Sequence, residues 1–200
     1  MSQQRPHIIG IGGTTRPGSG TESVLRFALG VAERGGATTA GFFGPELAQL
    51  PMYAPESPAR TDGAVRLAEQ LRIADGIIIA SPGYHGSVSG LIKNALDYVE
   101  DLRDDERSYF DGLAVGCIAT GAGWQAIVST LQQLRTIAHA LRGWPTPLGA
   151  AINTTEKIFG PDGDIADERA RFQLETVARE VVQFADNKLA GARLSGQGPQ

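Results

Sequence analysis

The chain has 200 residues, 42% of them apolar and 20% charged, enough to bury one sizeable core and too few to demand two. Its net charge of −4 argues against a surface built for a nucleic-acid backbone or an anionic membrane, and neither partner is expected. The lone Cys117 excludes an intrachain disulfide, and no apolar run nears the roughly 18 residues of a membrane-spanning helix, so a cytoplasmic protein is expected.

The opening Met-Ser-Gln-Gln-Arg-Pro-His lacks the apolar core of a signal peptide, and the domain is expected to start near residue 6. An apolar run at 7–13 predicts a first strand, and helical spacing follows over 21–34. A second run at 38–43 leads to a helix over 62–74, a third at 76–81 to one over 90–102, and a fourth at 113–120 to one over 124–141. The last pair is a strand at 147–153 and a helix over 166–189, with Gly, Pro or Asp at most boundaries. Five such units predict an α/β fold, a parallel sheet with helices on both faces and right-handed crossovers. One domain is expected over 1–190, with a disordered tail over 191–200 that lacks apolar anchors.

Ligands of open α/β sheets bind beyond the carboxyl ends of the strands, which directs attention to the loops there. After the first strand the chain reads GIGGTTRPGSGTESVL, residues 10 to 25. Its glycines permit close backbone approach, and Thr14, Thr15, Ser19, Thr21 and Ser23 bring hydroxyls to the start of a helix, where free amides favour an anion. Arg16 adds positive charge, so a phosphate is the expected guest; without it the hydroxyls would read equally well as helix caps. A Walker A loop would need Lys where Ser19 stands, and a strict G-x-G-x-x-G fails after Gly12. No acidic residue ends the second strand before Glu46, which favours a mononucleotide over a dinucleotide.

The third strand runs into SPGYHGSVSGLIKNALDYV, residues 81 to 99. Pro82, Gly83 and Gly86 predict a corner, and Tyr84 and His85 offer flat faces with polar tips, which suits a planar heteroaromatic ring. His85 reads alternatively as a proton donor, a hydrogen-bond partner or an exposed turn residue. His7, His85 and His139 stand too far apart for metal spacing, and no Ser-His-acid order is evident. Lys93 and Asp97, one helical turn apart, read as a structural pair together with Asn94.

This segment closely resembles the P-x-Y-[NH]-x-S-x-x-x-x-L-K-N-x-x-D signature of the NADPH-dependent FMN reductase family, with Pro82, Tyr84, His85, Ser87, Leu91, Lys93, Asn94 and Asp97 in place and Gly83 where the family often has Glu. The first loop is similar to the family's G-S-x-R-x-x-S-x-N pattern, with Thr14 for the Ser and Thr21 for the Asn. LPMYAP, residues 50 to 55, is similar to its L-P-x-Y-N loop, with Ala54 for the Asn. The resemblance, over roughly residues 6 to 190, implies a flavodoxin-like, doubly wound, five-stranded parallel sheet in the order 2-1-3-4-5.

The resemblance also implies a site. FMN phosphate would sit on Thr14, Arg16, Ser19, Thr21, Glu22 and Ser23, with the amide of Glu22 rather than its carboxylate toward the anion. The ring would lie along Pro82, Gly83, Tyr84, His85, Gly86 and Ser87, with Thr120, Gly121 and Gly123 as a third contact. Trp124 beside them reads equally well as a core or subunit-interface residue. Implied with FMN are NADPH or NADH as hydride donor and a small-molecule electron acceptor such as free flavin or a quinone, served in turn by a ping-pong mechanism without a dedicated catalytic side chain. A partner monooxygenase receiving reduced flavin and a homodimer or homotetramer fit the same family. A biosynthetic FMN-dependent dehydrogenase and a flavodoxin-type electron carrier are the alternatives.

Overall fold

The computed structural model describes residues 4–194 and Gly196. Its strands and helices alternate: β1 (His7–Gly12), α1 (Gly20–Arg34), β2 (Thr38–Phe43), the short α2 (Gly44–Leu47), α3 (Asp62–Arg72), β3 (Gly76–Tyr84), β4 (Ser87–Val88) and α4 (Gly90–Asp97). A 3-10 helix over Tyr98–Leu102 follows, then β5 (Ala114–Gly121), α5 (Trp124–Ala140), β6 (Trp144–Pro145), β7 (Ala150–Asn153) and α6 (Glu168–Leu194).

The sheet runs β2-β1-β3-β5, and its fifth place is shared by β6 and β7, both parallel to β5. This is the doubly wound, flavodoxin-like order expected. Of the strand predicted over 147–153 only Ala150–Asn153 forms, and a separate two-residue strand, Trp144–Pro145, precedes the predicted range on the same edge. Ala114 faces Trp144 and Ile118 faces Ala150, so two more residues lie between the partners on the edge than on β5. Pro147, which cannot donate to the ladder, falls in that excess.

Alternation along the strands distributes the core to both faces. Ile78 and Ala80 of β3 pack with Val24, Leu25 and Ala28 of α1 and with Leu174, Val177 and Val181 of α6. Ile77 and Ile79 point the other way, toward Leu67 and Leu71 of α3, Ile92 and Ala95 of α4, and Leu134 and Ala138 of α5. Strands buried on both faces explain why β1 and β3 read as continuous apolar runs instead of alternating ones.

Two ends differ from expectation. The helix predicted over 90–102 tightens to 3-10 geometry after Asp97. Helix α6 continues to Leu194 and includes the first four residues of the expected disordered tail, of which 195 and 197–200 lie outside the described residues. Among the described residues no helix is long and apolar enough to cross a membrane.

Candidate functional site

Connection β1–α1–β2 leads to one side of β1 and connection β2–α3–β3 returns to the other, so the strand order reverses between β1 and β3. Loops leaving the carboxyl ends of β1, β3 and β5 therefore share one edge of the sheet, with neighbouring strands about 4.8 Å apart.

Residues 13–19 form the first loop. Ser19 caps α1, its side-chain oxygen accepting the Glu22 N–H, an arrangement that stabilises a helix start by about 1 kcal/mol. Thr14 Oγ1 accepts the Arg16 N–H at 3.2 Å and steadies the turn that displays the exposed Arg16. The backbone of Thr14 lies directly on Gly44 at the start of α2, where a Cβ would overlap the Thr14 carbonyl. Loop one thus owes its path to a glycine thirty residues away, which local reading did not single out.

Glu22 departs from expectation. Its amide donates to Ser19 instead of facing outward. The carboxylate turns back into the loop, where Oε2 accepts the Gly18 N–H at 3.2 Å and Oε1 accepts from Arg26 Nε at 2.8 Å. An acceptor anion already rests on an amide of this loop, so its donor chemistry fits a phosphate.

The corner expected at 82–88 is a β-hairpin. Strand β3 extends to Tyr84 and pairs antiparallel with β4, Gly83 opposite Val88 and Tyr84 opposite Ser87, around the two-residue turn His85-Gly86. Both turn residues have positive φ, 53° and 79°, the signs of the type I′ turn that suits the twist of a two-residue hairpin. Helix α5 holds this hairpin: Ser129 Oγ and Gln133 Nε2 each donate to the Gly86 carbonyl at 2.8 Å, and Ser87 Oγ donates to Gln133 Oε1 at 2.7 Å. Pro82 is buried, whereas Tyr84 and His85 are exposed, with Tyr84 54% accessible. A flat, anchored rim with two aromatic rings at its edge results.

The third loop follows β5. Thr120 is buried, and its hydroxyl meets that of Thr21 at 2.6 Å, tying α1 to β5 across β3. These two side chains serve each other, and in the loop that follows Gly123 is exposed. Trp124 is 41% exposed under the guanidinium of Arg169, and so is no core residue.

Sequence reading missed the contribution that follows the last strand. Thr154 donates through N and Oγ1 to the Gly121 carbonyl, at 2.8 and 3.1 Å, and with Phe159 it lies beside Gly20. Thr154 directly follows β7, so the strand-end rule would have found it had the fifth strand's end been examined. Asn94, read from the sequence as structural, has that role: Oδ1 accepts the Tyr53 N–H at 2.8 Å and Nδ2 donates to the Pro51 carbonyl at 2.9 Å, binding the LPMYAP segment to α4. Lys93 and Asp97 pair on the exposed side of α4. A cavity of about 340 Å³ opens under that segment, lined in part by Met52, Arg60 and Tyr98.

A family model described as NADPH-dependent FMN reductase matches residues 6–157. Among curated proteins, the FMN-dependent NADPH-azoreductase of Staphylococcus aureus (strain USA300) is 34% identical over 125 residues, covering 60% of this chain. The chain spans 62% of that relative's length. Among solved structures, FerB, a flavoenzyme NAD(P)H:(acceptor) oxidoreductase from Paracoccus denitrificans, superposes with a TM-score of 0.72 at 19% identity, covering 92% of this chain and 98% of that one. The NADH:FMN oxidoreductase EMOB superposes at 0.69 and 18% identity, covering 89% of each chain. At these identities the structural likeness concerns the fold.

Proposed function

We propose that this chain, which belongs to the NADPH-dependent FMN reductase family, holds FMN across the carboxyl ends of β1, β3 and β5 and uses it to pass reducing equivalents from NADPH or NADH to a second small acceptor. The observation that carries this reading is the juxtaposition of an Arg-bearing, Ser-capped helix start with a rigid aromatic hairpin at the strand-order reversal. Bound FMN would supply the redox chemistry, which no side chain here provides.

The chain's own residues bind and shape. The exposed guanidinium of Arg16 and the amides at the start of α1 neutralise the phosphate, aided by the helix dipole. The hairpin backbone from Gly83 to Ser87, braced by Ser129 and Gln133, would hold the ring. Tyr84 and His85, both exposed, would border the bound ring, where donor and acceptor would bind in turn. A flavin, a quinone or a similar planar acceptor fits this scheme, and so does a monooxygenase taking up released reduced flavin.

The test is a visible spectrum of the purified protein with FMN, then anaerobic addition of NADPH. Bleaching of the bound flavin is expected. Flavin that binds but ignores both nicotinamides would replace the reductase reading with a dehydrogenase of another substrate, and absence of FMN binding would overturn the site. Arg16→Ala is expected to weaken FMN roughly tenfold or more, as loss of a charge-assisted phosphate contact does, with riboflavin binding little changed.

A further inference from the structure

Glu22 stands where an anion site should not keep a carboxylate. It is 7% exposed, in the first turn of α1, and both its oxygens are engaged. Oε2 accepts the Gly18 N–H, and Oε1 accepts from Arg26 Nε and lies 2.8 Å from Arg26 Nη2. Arg26 in turn lies over the Phe43 ring at 3.7 Å, which fixes the guanidinium against the end of β2. A buried carboxylate is tolerated when it is paired and hydrogen-bonded, and Glu22 meets both conditions.

An acidic residue in a first helical turn is ordinarily no more than a favourable partner of the dipole. Here the side chain reaches out of the helix to residue 18 and takes an N–H of the loop read above as the phosphate site. A carboxylate and a phosphate are both acceptors, and one N–H cannot serve both fully. Their charges also repel over the few ångströms that separate neighbouring ligands of one loop.

We propose that Glu22 is a built-in competitor for the flavin phosphate: it holds Gly18 in place in the free protein, gives up that N–H when phosphate arrives, and by its remaining charge keeps FMN exchangeable rather than permanently held. Arg26 sets the strength of this brake, because it carries the positive charge that neutralises the displaced carboxylate. The inference rests on the reading of loop one as the FMN phosphate site.

The experiment measures dissociation constants of FMN and of riboflavin by quenching of flavin fluorescence, for the wild type, Glu22→Gln and Arg26→Met. Gln keeps the shape and an acceptor for Gly18 while adding a donor, so E22Q is expected to bind FMN about tenfold tighter or more, with riboflavin changed less than about twofold. R26M leaves Glu22 unneutralised and is expected to shift the FMN-to-riboflavin ratio the other way, by a similar factor. A preference for FMN over riboflavin, taken as the riboflavin dissociation constant divided by that of FMN, that is unchanged or lowered in E22Q overturns the proposal; should E22Q fail to fold by circular dichroism, an unchanged or raised preference in R26M overturns it equally. A wild type that does not prefer FMN to riboflavin is a different result, and it would sink the phosphate reading itself.

Discussion

His85 has φ of 53°, in the left-handed region that few L side chains adopt and that Asn, Asp and His tolerate best. Its backbone is therefore constrained by the turn, whatever its ring does. His85→Asn is expected to keep or slightly raise stability, while His85→Val, β-branched and ill-suited to positive φ, is expected to cost about 1–2 kcal/mol in chemical denaturation. If the imidazole also carries a proton during turnover, H85N would lower kcat and alter its pH profile with FMN affinity intact. The residue's identity was visible in the sequence, and so was its place near a turn. Its conformation was not, since a Pro-Gly-Tyr-His-Gly run is compatible with several corners and the pairing of Ser87 with Tyr84 selects the hairpin.

At the scale of elements, two ties hold the strand-end loops together. The first is the seat of loop one on α2. Gly44→Ala would push a methyl group into the Thr14 carbonyl, and a loss of about 3 kcal/mol is expected, the upper end of overpacking penalties, with FMN binding weakened because the whole loop must shift. Thermal melting and a flavin titration of the same variant check both parts. The second tie is the buried Thr21–Thr120 pair. Thr120→Val keeps the shape but strands the Thr21 hydroxyl, for an expected cost of about 1–3 kcal/mol in urea denaturation. The sequence marked Thr14, Thr21 and Thr120 as loop, helix-start and strand-end positions, and Gly44 not at all. It did not pair them, because contacts between residues 21 and 120 or 14 and 44 follow only from the strand order.

Across the whole molecule, the bidentate Arg60–Asp101 pair joins the segment before α3 to the 3-10 turn after α4, at 2.7 and 2.8 Å, with Tyr53 Oη donating to the same carboxylate. Hydrogen bonds from Arg60 outweigh burial and hold the Asp101 carboxyl below the usual carboxylate range. A depressed acid stabilises the fold above its unfolded pKa of about 3.9 and loses that contribution as pH falls through the lowered value. Asp101→Asn is thus expected to cost about 1 kcal/mol near pH 7, and its stability is expected to converge on that of the wild type in strong acid, as paired melts across pH would record. Cys117 is a quiet counterpart: burial pushes its thiol up to about 12, as suits a core side chain on β5. What the sequence determined by itself was the alternation of elements, the basic, hydroxyl-rich first loop and the aromatic corner after β3, since periodicity and turn chemistry are local properties of the chain. Only the tertiary structure decided that the edge strand breaks in two, that Asn94 holds the 51–53 backbone, and that Glu22 turns its carboxylate toward Gly18. Each of these depends on partners brought together by packing or on the direction a side chain takes, and neither is encoded in spacing along one segment.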